Sequence, residues 1–352
     1  MLDIREILES LNDRNSEATE FQSNSQKKNI LNVEADFDGD LEEAISAAED
    51  GDTVQLGRKT YETSGITVDK DITIAGQNGS IVDGDGTREP ILNLTEDASG
   101  TTIRDLEITN GNIGINAFGA TDLTLQDLEV HNIGVDEPIR DGQNNVGINL
   151  FYADGFQLLD SEIYDVGRKG VGINDTDGGI VKGLTVSDIN IDAEHAQSFD
   201  AAGIKLFNTN DIIVSENNLS DVNAFHIWND ITNSTIIEGN TVTGVGEVFV
   251  RPDFNQNVIV SGIYNEKSYQ SVVENNTVTT VDNLVAFDAT AFTTETMELG
   301  ENEFDSIELN TTDYWANEEA EIIVAITEDP AEANFSLFAD DFFEDANIGD
   351  SE

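Results

Sequence analysis

The chain has 352 residues, 71 acidic against 16 basic, a formal net charge of −55 and no cysteine. Length allows a large core, and 38% hydrophobic content argues against an acidic disordered chain. Disulfides and thiol chemistry are excluded, and a polyanion lacks the basic patch that nucleic acid binding requires.

Charge of this size repels itself in dilute buffer, and molar salt shortens the Debye length to about 3 Å. The composition therefore predicts a protein of brine, with a fold that loosens when salt is removed. The first twenty residues carry no basic start followed by an apolar run, so no export signal is expected there, and no stretch reaches the roughly 20 apolar residues of a membrane span.

In chain order, Ile4, Ile7, Leu8 and Leu11 follow helical spacing, and residues 12–30 are polar and linker-like. Residues 1–30 thus read as an apolar stripe on a tether, a docking or anchor segment. Leu41, Ala44, Ile45 and Ala48 place one apolar face on a short helix.

From there a phrase repeats: IIVSENNLSDV at 212–222, TIIEGNTVTGV at 235–245, SVVENNTVTTV at 271–281. Its eighth residue recurs as Ile108, Val130, Ile163, Val186, Leu219, Val242, Val278 and Phe304. Five residues earlier stand Ile103, Leu125, Leu158, Val181, Val214, Ile237, Val273 and Leu299; three later, Gly111, Ile133, Val166, Ile189, Val222, Val245, Val281 and Ile307. Spacings of 22 to 36 residues suit stacked β-coils with variable insertions, each coil burying its inward aliphatics on its neighbours. Asn217, Asn240, Asn276 and Asn302 sit two residues before the recurring aliphatic. Asparagine tolerates left-handed angles and stacked copies bond one another, which predicts a structural ladder with the asparagine turning the corner.

A second phrase opens most coils: IGIN at 113–116, VGIN at 146–149 and 171–174, GIKLFN at 203–208, HIWN at 226–229. With Ile115, Ile148, Ile173, Ile204 and Ile227 inward, the outward row is predicted as Asn116, Asn149, Asn174, Lys205 and Trp228. A neighbouring row of Gly114, Gly147, Gly172, Gly203 and His226 is predicted to floor a shallow groove.

These repeats resemble the right-handed parallel β-helix proteins of the pectate-lyase-like superfamily, over roughly residues 34–310. The resemblance implies an all-β, single-stranded right-handed solenoid, with the helix near 41–48 as a lid on the first coil, and residues 31–310 as the β-helix domain. It also implies that the insertions at 131–145, 187–202 and 246–270 wall a groove. After Lys267 no basic residue follows. Residues 311–352 read as an acidic cap or subunit contact, with EIIVAI at 321–326 a strand and Phe335, Phe338, Phe342 and Phe343 on one face.

Groove candidates are Arg140, Asp141, Arg168, Lys169, Asp192, His195, Asp200, Lys205, His226, Trp228, Arg251 and Asp253. A lyase or epimerase needs a base, for which Lys205 or His226 is the candidate; a hydrolase needs paired carboxylates, here Asp141 and Asp200. Trp228, Asn149, Asn174, Arg168, Lys169 and His195 are candidates for holding a ligand. The competing reading for each is structural. NTND at 208–211 is a partial echo of polygalacturonase-like hydrolases, whose other motifs are absent, as is the alginate-epimerase motif. DGDGT at 83–87 reads as a turn, so no cofactor or metal site is expected, beyond weak Ca²⁺ or Na⁺ binding among the carboxylates.

Two functional readings follow. The first is a virion surface protein, resembling viral spikes, fibres and capsid-decorating proteins, that binds host glycans in high salt. Its expected partners are copies of itself in a trimer or other symmetric assembly, a particle joined through residues 1–30, and a host surface glycan, with no nucleic acid and no membrane insertion. Its place would be the virion surface or the extracellular medium. The second is a carbohydrate-active enzyme, a polysaccharide lyase, hydrolase or epimerase, acting on acidic polysaccharide.

Overall fold

The computed structural model describes residues 28–134, 145–189, 201–223 and 225–245, and beyond these 249–251, 256–258, 261–280, 285–290, 297–299, 302–304, 307–310, 324–326 and 335–336. Within them the repeat becomes a solenoid of parallel strands. Ile103 pairs with Leu125, Leu125 with Leu158, Leu158 with Val181, and so on through Val214, Ile237, Val273 and Leu299. The second set pairs in the same unbroken way from Ile108 to Phe304. Among the described residues the one antiparallel pairing is a hairpin, Phe249–Arg251 against Gln256–Val258, inside the insertion at 246–270.

Each coil has three strands. The front strand is the GIN phrase, seen in Val146–Phe151, Lys169–Asn174 and Ser261–Glu266. The middle strand is that of Phe156–Leu159 and Ile236–Glu238; the back strand is that of Glu162–Val166 and Asn218–Ser220. Aliphatics from all three close on one continuous core, with Ile103, Ile148, Leu158, Val186, Ile204 and Val242 fully buried. Each such side chain contributes about 1.5–3 kcal/mol on leaving water.

The first coil is closed as expected. Helix α1 spans Val33–Asp36 and α2 spans Leu41–Ala47; Leu41, Ala44, Ile45 and Ala48 are buried. Asp40 caps α2 by accepting from the Glu43 N–H at 2.8 Å, which satisfies an otherwise orphaned donor. At the other end Val324–Ile326 pairs with Met297–Leu299, and Phe335–Ser336 with Ile307–Asn310. Residues 1–27 lie outside the described residues, as do Phe338, Phe342 and Phe343.

The asparagine ladder exists, but its mechanism differs from the expectation. Asn217, Asn240 and Asn276 are buried and have no left-handed backbone; the residue before each does, Glu216, Gly239 and Asn275 with φ of 55°, 62° and 56°. The bend is made one residue earlier, which frees the asparagine side chain to point inward along the stack. Asn217 Nδ2 donates to Asn240 Oδ1, Asn240 Nδ2 to Asn276 Oδ1 and Asn276 Nδ2 to Asn302 Oδ1, at 2.9 to 3.0 Å. Each Oδ1 also accepts the backbone N–H of the preceding rung. Ser161 plays the acceptor in an earlier coil, taking the Leu128 N–H at 3.1 Å.

Left-handed residues recur at fixed places from coil to coil among the described residues. The column before the ladder runs Asp105, Asp127, Asp160, Gly183, Glu216, Gly239 and Asn275; the one closing the back strand runs Asn110, Asn132, Asp165, Asp188, Asp221 and Gly244. Aspartate and asparagine bond their own backbone there and tolerate positive φ. Part of the acidity is therefore corner chemistry.

Three registers differ from expectation. Val171, not Ile173, is level with Ile148 and Ile204, so the outward partner of Asn149 and Lys205 is Gly172, and Asn174 lies two residues further on. Val245 pairs with Thr280 instead of Val281, across a register shift. Ile307 belongs to the front sheet opposite Phe287. The side-chain period of two makes a slip of two residues invisible to an inward–outward pattern.

Candidate functional site

The front sheet presents one outward row from coil to coil: Asn93, Asn116, Asn149, Gly172, Lys205, Trp228 and Tyr264. Its first members form a second amide ladder. Asn116 Nδ2 donates to Asn93 Oδ1 and Asn149 Nδ2 to Asn116 Oδ1, both at 2.8 Å. At Gly172 the row has no side chain. A Cβ there would meet Asn149 Oδ1 at 3.4 Å, Lys169 Cδ at 3.5 Å and Asn174 Nδ2 at 3.8 Å, so these three line a gap at the ladder's end.

The predicted glycine floor faces the other way. Gly114, Gly147, Gly170 and Gly203 form the row, and each would drive a Cβ against the next coil's backbone carbonyl, at 2.5 to 2.7 Å, and against core side chains such as Val186 or Leu219. Two successive residues of each front strand, such as Gly203 and Ile204, point inward at this corner. Glycine is used there because the chain passes too close to itself for anything larger.

His226 continues that inward row, since Gly203 faces its carbonyl. It is fully buried, neither ring nitrogen has a close hydrogen-bond partner among the described residues, and burial pushes its imidazole down to about 4, with the backbone of Thr243 offsetting this in part. His226 is an interior histidine and not a groove base, which corrects its candidacy.

Lys205 is on the groove face and is engaged. Its Nζ lies 3.4 Å from the centre of the Trp228 ring and 3.6 Å from Asp230 Oδ2, and the residue is 6% exposed. Trp228 is therefore not an open stacking platform: Lys205 covers one face, and Phe225 and Tyr264 pack around it with ring centres 4.9 and 5.9 Å away. A cation over an indole, desolvated and paired with a carboxylate, is worth about 2 kcal/mol or more for the ring contact alone. Arg168 and Lys169 stand at the start of the preceding front strand, Lys169 nearly buried beside the Gly172 gap. Arg251 lies on the hairpin strand. Arg140, Asp141, Asp192, His195, Asp200 and Asp253 lie outside the described residues, so the structure does not bring the Asp141–Asp200 pair into this description.

Sequence reading missed Asp230, Tyr264 and the aromatic group Phe118, Phe151 and Tyr152, although an aromatic residue two places after both Asn116 and Asn149 was the available signal. On the back sheet His131 stacks on Tyr164 with ring centres 4.8 Å apart, while His131 bonds Glu107 at 2.9 Å and the Tyr164 hydroxyl donates to Glu129 at 2.7 Å; burial and that carboxylate push the phenol up. Among the described residues no group of three or more His, Asp or Glu is placed to hold a metal, and no helix is long and apolar enough to cross a membrane.

The stacked parallel rungs are what known proteins share with this chain. The model of the right handed beta helix region fits residues 146–323. The chain belongs to that β-helix family. Its coils are right-handed. Solved structures with the same fold include an alginate lyase from Paenibacillus sp. str. FPU-7, at 17% identity and TM-score 0.50, covering 88% of this chain and 93% of that one. The enzymatically active domain of tailspike protein 2 of bacteriophage CBA120 aligns at 9% identity and TM-score 0.53, over 85% of this chain and 52% of the tailspike, so this β-helix spans about half its length. The catalytic domain of a GH87 α-1,3-glucanase aligns at 11% identity and TM-score 0.54, over 90% and 69%. At these identities the likeness is one of fold. No curated protein sequence matches this chain.

Proposed function

We propose that this β-helix binds saccharide along its front sheet as an attachment protein working in high salt, on a virion surface or another external assembly. The observation that carries the reading is the outward row itself: an amide ladder that ends at the Gly172 gap beside Lys169, followed by a Lys205–Trp228 pair locked by Asp230. Amides offer both a donor and an acceptor to sugar hydroxyls, and a groove of fixed side chains binds without reorganisation. The same fold carries the enzymatically active domain of a phage tailspike, which fits either reading. Residues 1–30 would join the particle, and symmetric copies would give avidity.

One feature favours the enzyme reading as a second. Lys205 and Asp230 form a nearly buried pair on the groove face; as a cation Lys205 would stabilise the negative charge left when a substrate proton is removed, and it would be the base only after giving up its own proton. The fold also carries an alginate lyase and a glucanase.

Purified full-length protein in molar NaCl separates the readings. Under the attachment reading, immobilised cell-surface polysaccharide retains the protein and neither double-bond absorbance nor new reducing ends appear. Turnover that vanishes in Lys205→Met makes it an enzyme. Neither retention nor turnover on any polysaccharide ends both.

A further inference from the structure

The front sheet is uncharged over its first half. In a chain where 71 of 352 residues are acidic, about one in five, the front-strand segments 90–94, 113–118 and 146–151 contain no Asp, Glu, Lys or Arg. At the strand entrances Arg88 and Glu89 precede Pro90 as Arg168 precedes the level Lys169; within the front-strand segments themselves the first cation is Lys169 and the first carboxylate Asp230. Strands disfavour acids in general, yet the back strands carry Glu107, Glu129 and Glu162 level with one another.

On this neutral half sits an aromatic corner. Phe118 and Phe151 stack with ring centres 5.3 Å apart and planes within 6°, and Tyr152 stands at 89° to Phe118 and 84° to Phe151. Phe118 is 58% exposed and Tyr152 49%, among the most exposed large apolar residues described. Two perpendicular aromatic planes make an L-shaped notch open to solvent. The Asn116–Asn149 ladder lies two residues away on the same strands and the same outward side, about 7 Å distant.

The backbone holds Tyr152 at a cost. Its column of left-handed corner residues contains Gly119, Asp175 and Asn208, residues suited to positive φ, but also Ile231 and Lys267, and Tyr152 has φ of 52°. A bulky residue there is strained, and in Tyr152 that strain keeps the ring beside Phe118 and Phe151.

We infer that Phe118, Phe151 and Tyr152 form a stacking subsite for a neutral sugar ring, with Asn116 and Asn149 addressing its hydroxyls. The inference rests on the saccharide reading above and adds the ligand class and the place. A pyranose has an apolar C–H face and a polar rim, which matches an aromatic notch beside amides. A uronate would find no cation in segments 113–118 and 146–151 to pair with its carboxylate. The carboxylate residues nearby, Glu96 beside Gly119 and Asp175 at the next corner, flank the notch and would further disfavour a uronate.

The test uses the full chain in molar NaCl, titrated with neutral gluco-, manno- and galacto-oligosaccharides and with oligogalacturonate, read by ligand-observed NMR, with sedimentation in parallel. Tyr152→Gly and Phe118→Ser are chosen because glycine suits the corner and Phe118 is exposed, so both variants fold, as melting checks. The expected result is binding of a neutral oligosaccharide that weakens at least about tenfold in each variant, roughly 1.4 kcal/mol. Neutral sugars bound equally by wild type and variants would overturn the subsite and leave the saccharide reading standing. Binding of oligogalacturonate alone would overturn the ligand class. Variants that dissociate an oligomer while keeping sugar affinity would make the notch a contact between copies. Binding of no sugar by the wild type would overturn both this inference and the reading beneath it.

Discussion

The coil at 146–166 and the coil at 225–245 turn the same corner with opposite chemistry. In the first, Leu150, Ala153 and Phe156 fill the interior behind the turn; in the second, the level positions are Asn229, Thr232 and Thr235. The following coil continues with Asn265, Ser268 and Ser271. All are buried. Aliphatic filling is non-directional and depends on volume. The polar filling depends on partners: Asn229 Nδ2 donates to Asn265 and Thr232 to Ser268 at 3.0 Å, while Asn229 Oδ1 and the Thr235 hydroxyl have no protein partner among the described residues. One backbone geometry thus accepts two core chemistries, and the later coils hold the costlier one.

The sharpest way to break the comparison is to remove volume from the apolar corner. Phe156 is fully buried, and Gly179 in the next coil has no side chain because a Cβ would lie 2.1 Å from the Phe156 ring. Phe156→Ala should cost about 3–5 kcal/mol, by chemical denaturation in molar NaCl. A loss below 1 kcal/mol would mean that the corner is loosely packed.

On the polar side, pH is the probe. His226 is neutral in the fold, with its imidazole near 4 against an ordinary value of 6.5. Its folded value is depressed, so the unfolded chain takes up the proton first as pH falls. The contribution is complete above 6.5 and is lost between 6.5 and about 4. Over that window wild type should lose roughly 3 kcal/mol more than His226→Leu, measured by denaturation at fixed molar salt, which holds carboxylate effects common to both. Parallel pH curves would place His226 in contact with water.

A smaller effect is expected at the ladder. Asn240→Leu strands the Asn217 N–H and the Val214 carbonyl, and should cost about 1–3 kcal/mol. Asn110 holds a left-handed corner with φ of 63° and bonds Asp83, so Asn110→Gly should stay within about 0.5 kcal/mol. Equal melting shifts would remove the ladder from the stability account.

The rungs were legible because each coil repeats the same buried aliphatics, so one sequence supplies its own comparison. Val171 against Ile173 was not, since VGIN fits two registers of equal parity, and the choice is made by Gly170 meeting the Gly203 carbonyl at 2.6 Å. Lys205 and Trp228 were placed on the correct face from alternation. His226 was misplaced because alternation fails where two successive residues turn inward. The covering of Trp228 by Lys205 is a contact between coils, which no spacing rule encodes. Phe118 and Tyr152 were passed over because they follow the phrase that drew attention.

The smallest effect runs in the stabilising direction and concerns the corner column shared by both coils. Ile231 occupies the place that Asp175 and Asn208 take in earlier coils, with φ of 52° and 37% exposure. A β-branched side chain is the poorest occupant of that region, because its two branches crowd the carbonyl that positive φ brings near. The interior behind it is already polar, so the exposed isoleucine protects no aliphatic core. Ile231→Asn should therefore raise stability by about 1 kcal/mol, seen as a higher melting temperature in molar NaCl. Tyr152→Gly relieves the same strain but gives up ring contacts with Phe118 and Phe151, so its melting temperature should move less. If Ile231→Asn lowers stability, the isoleucine is packed against something, and the outer corner of the later coils is a contact surface.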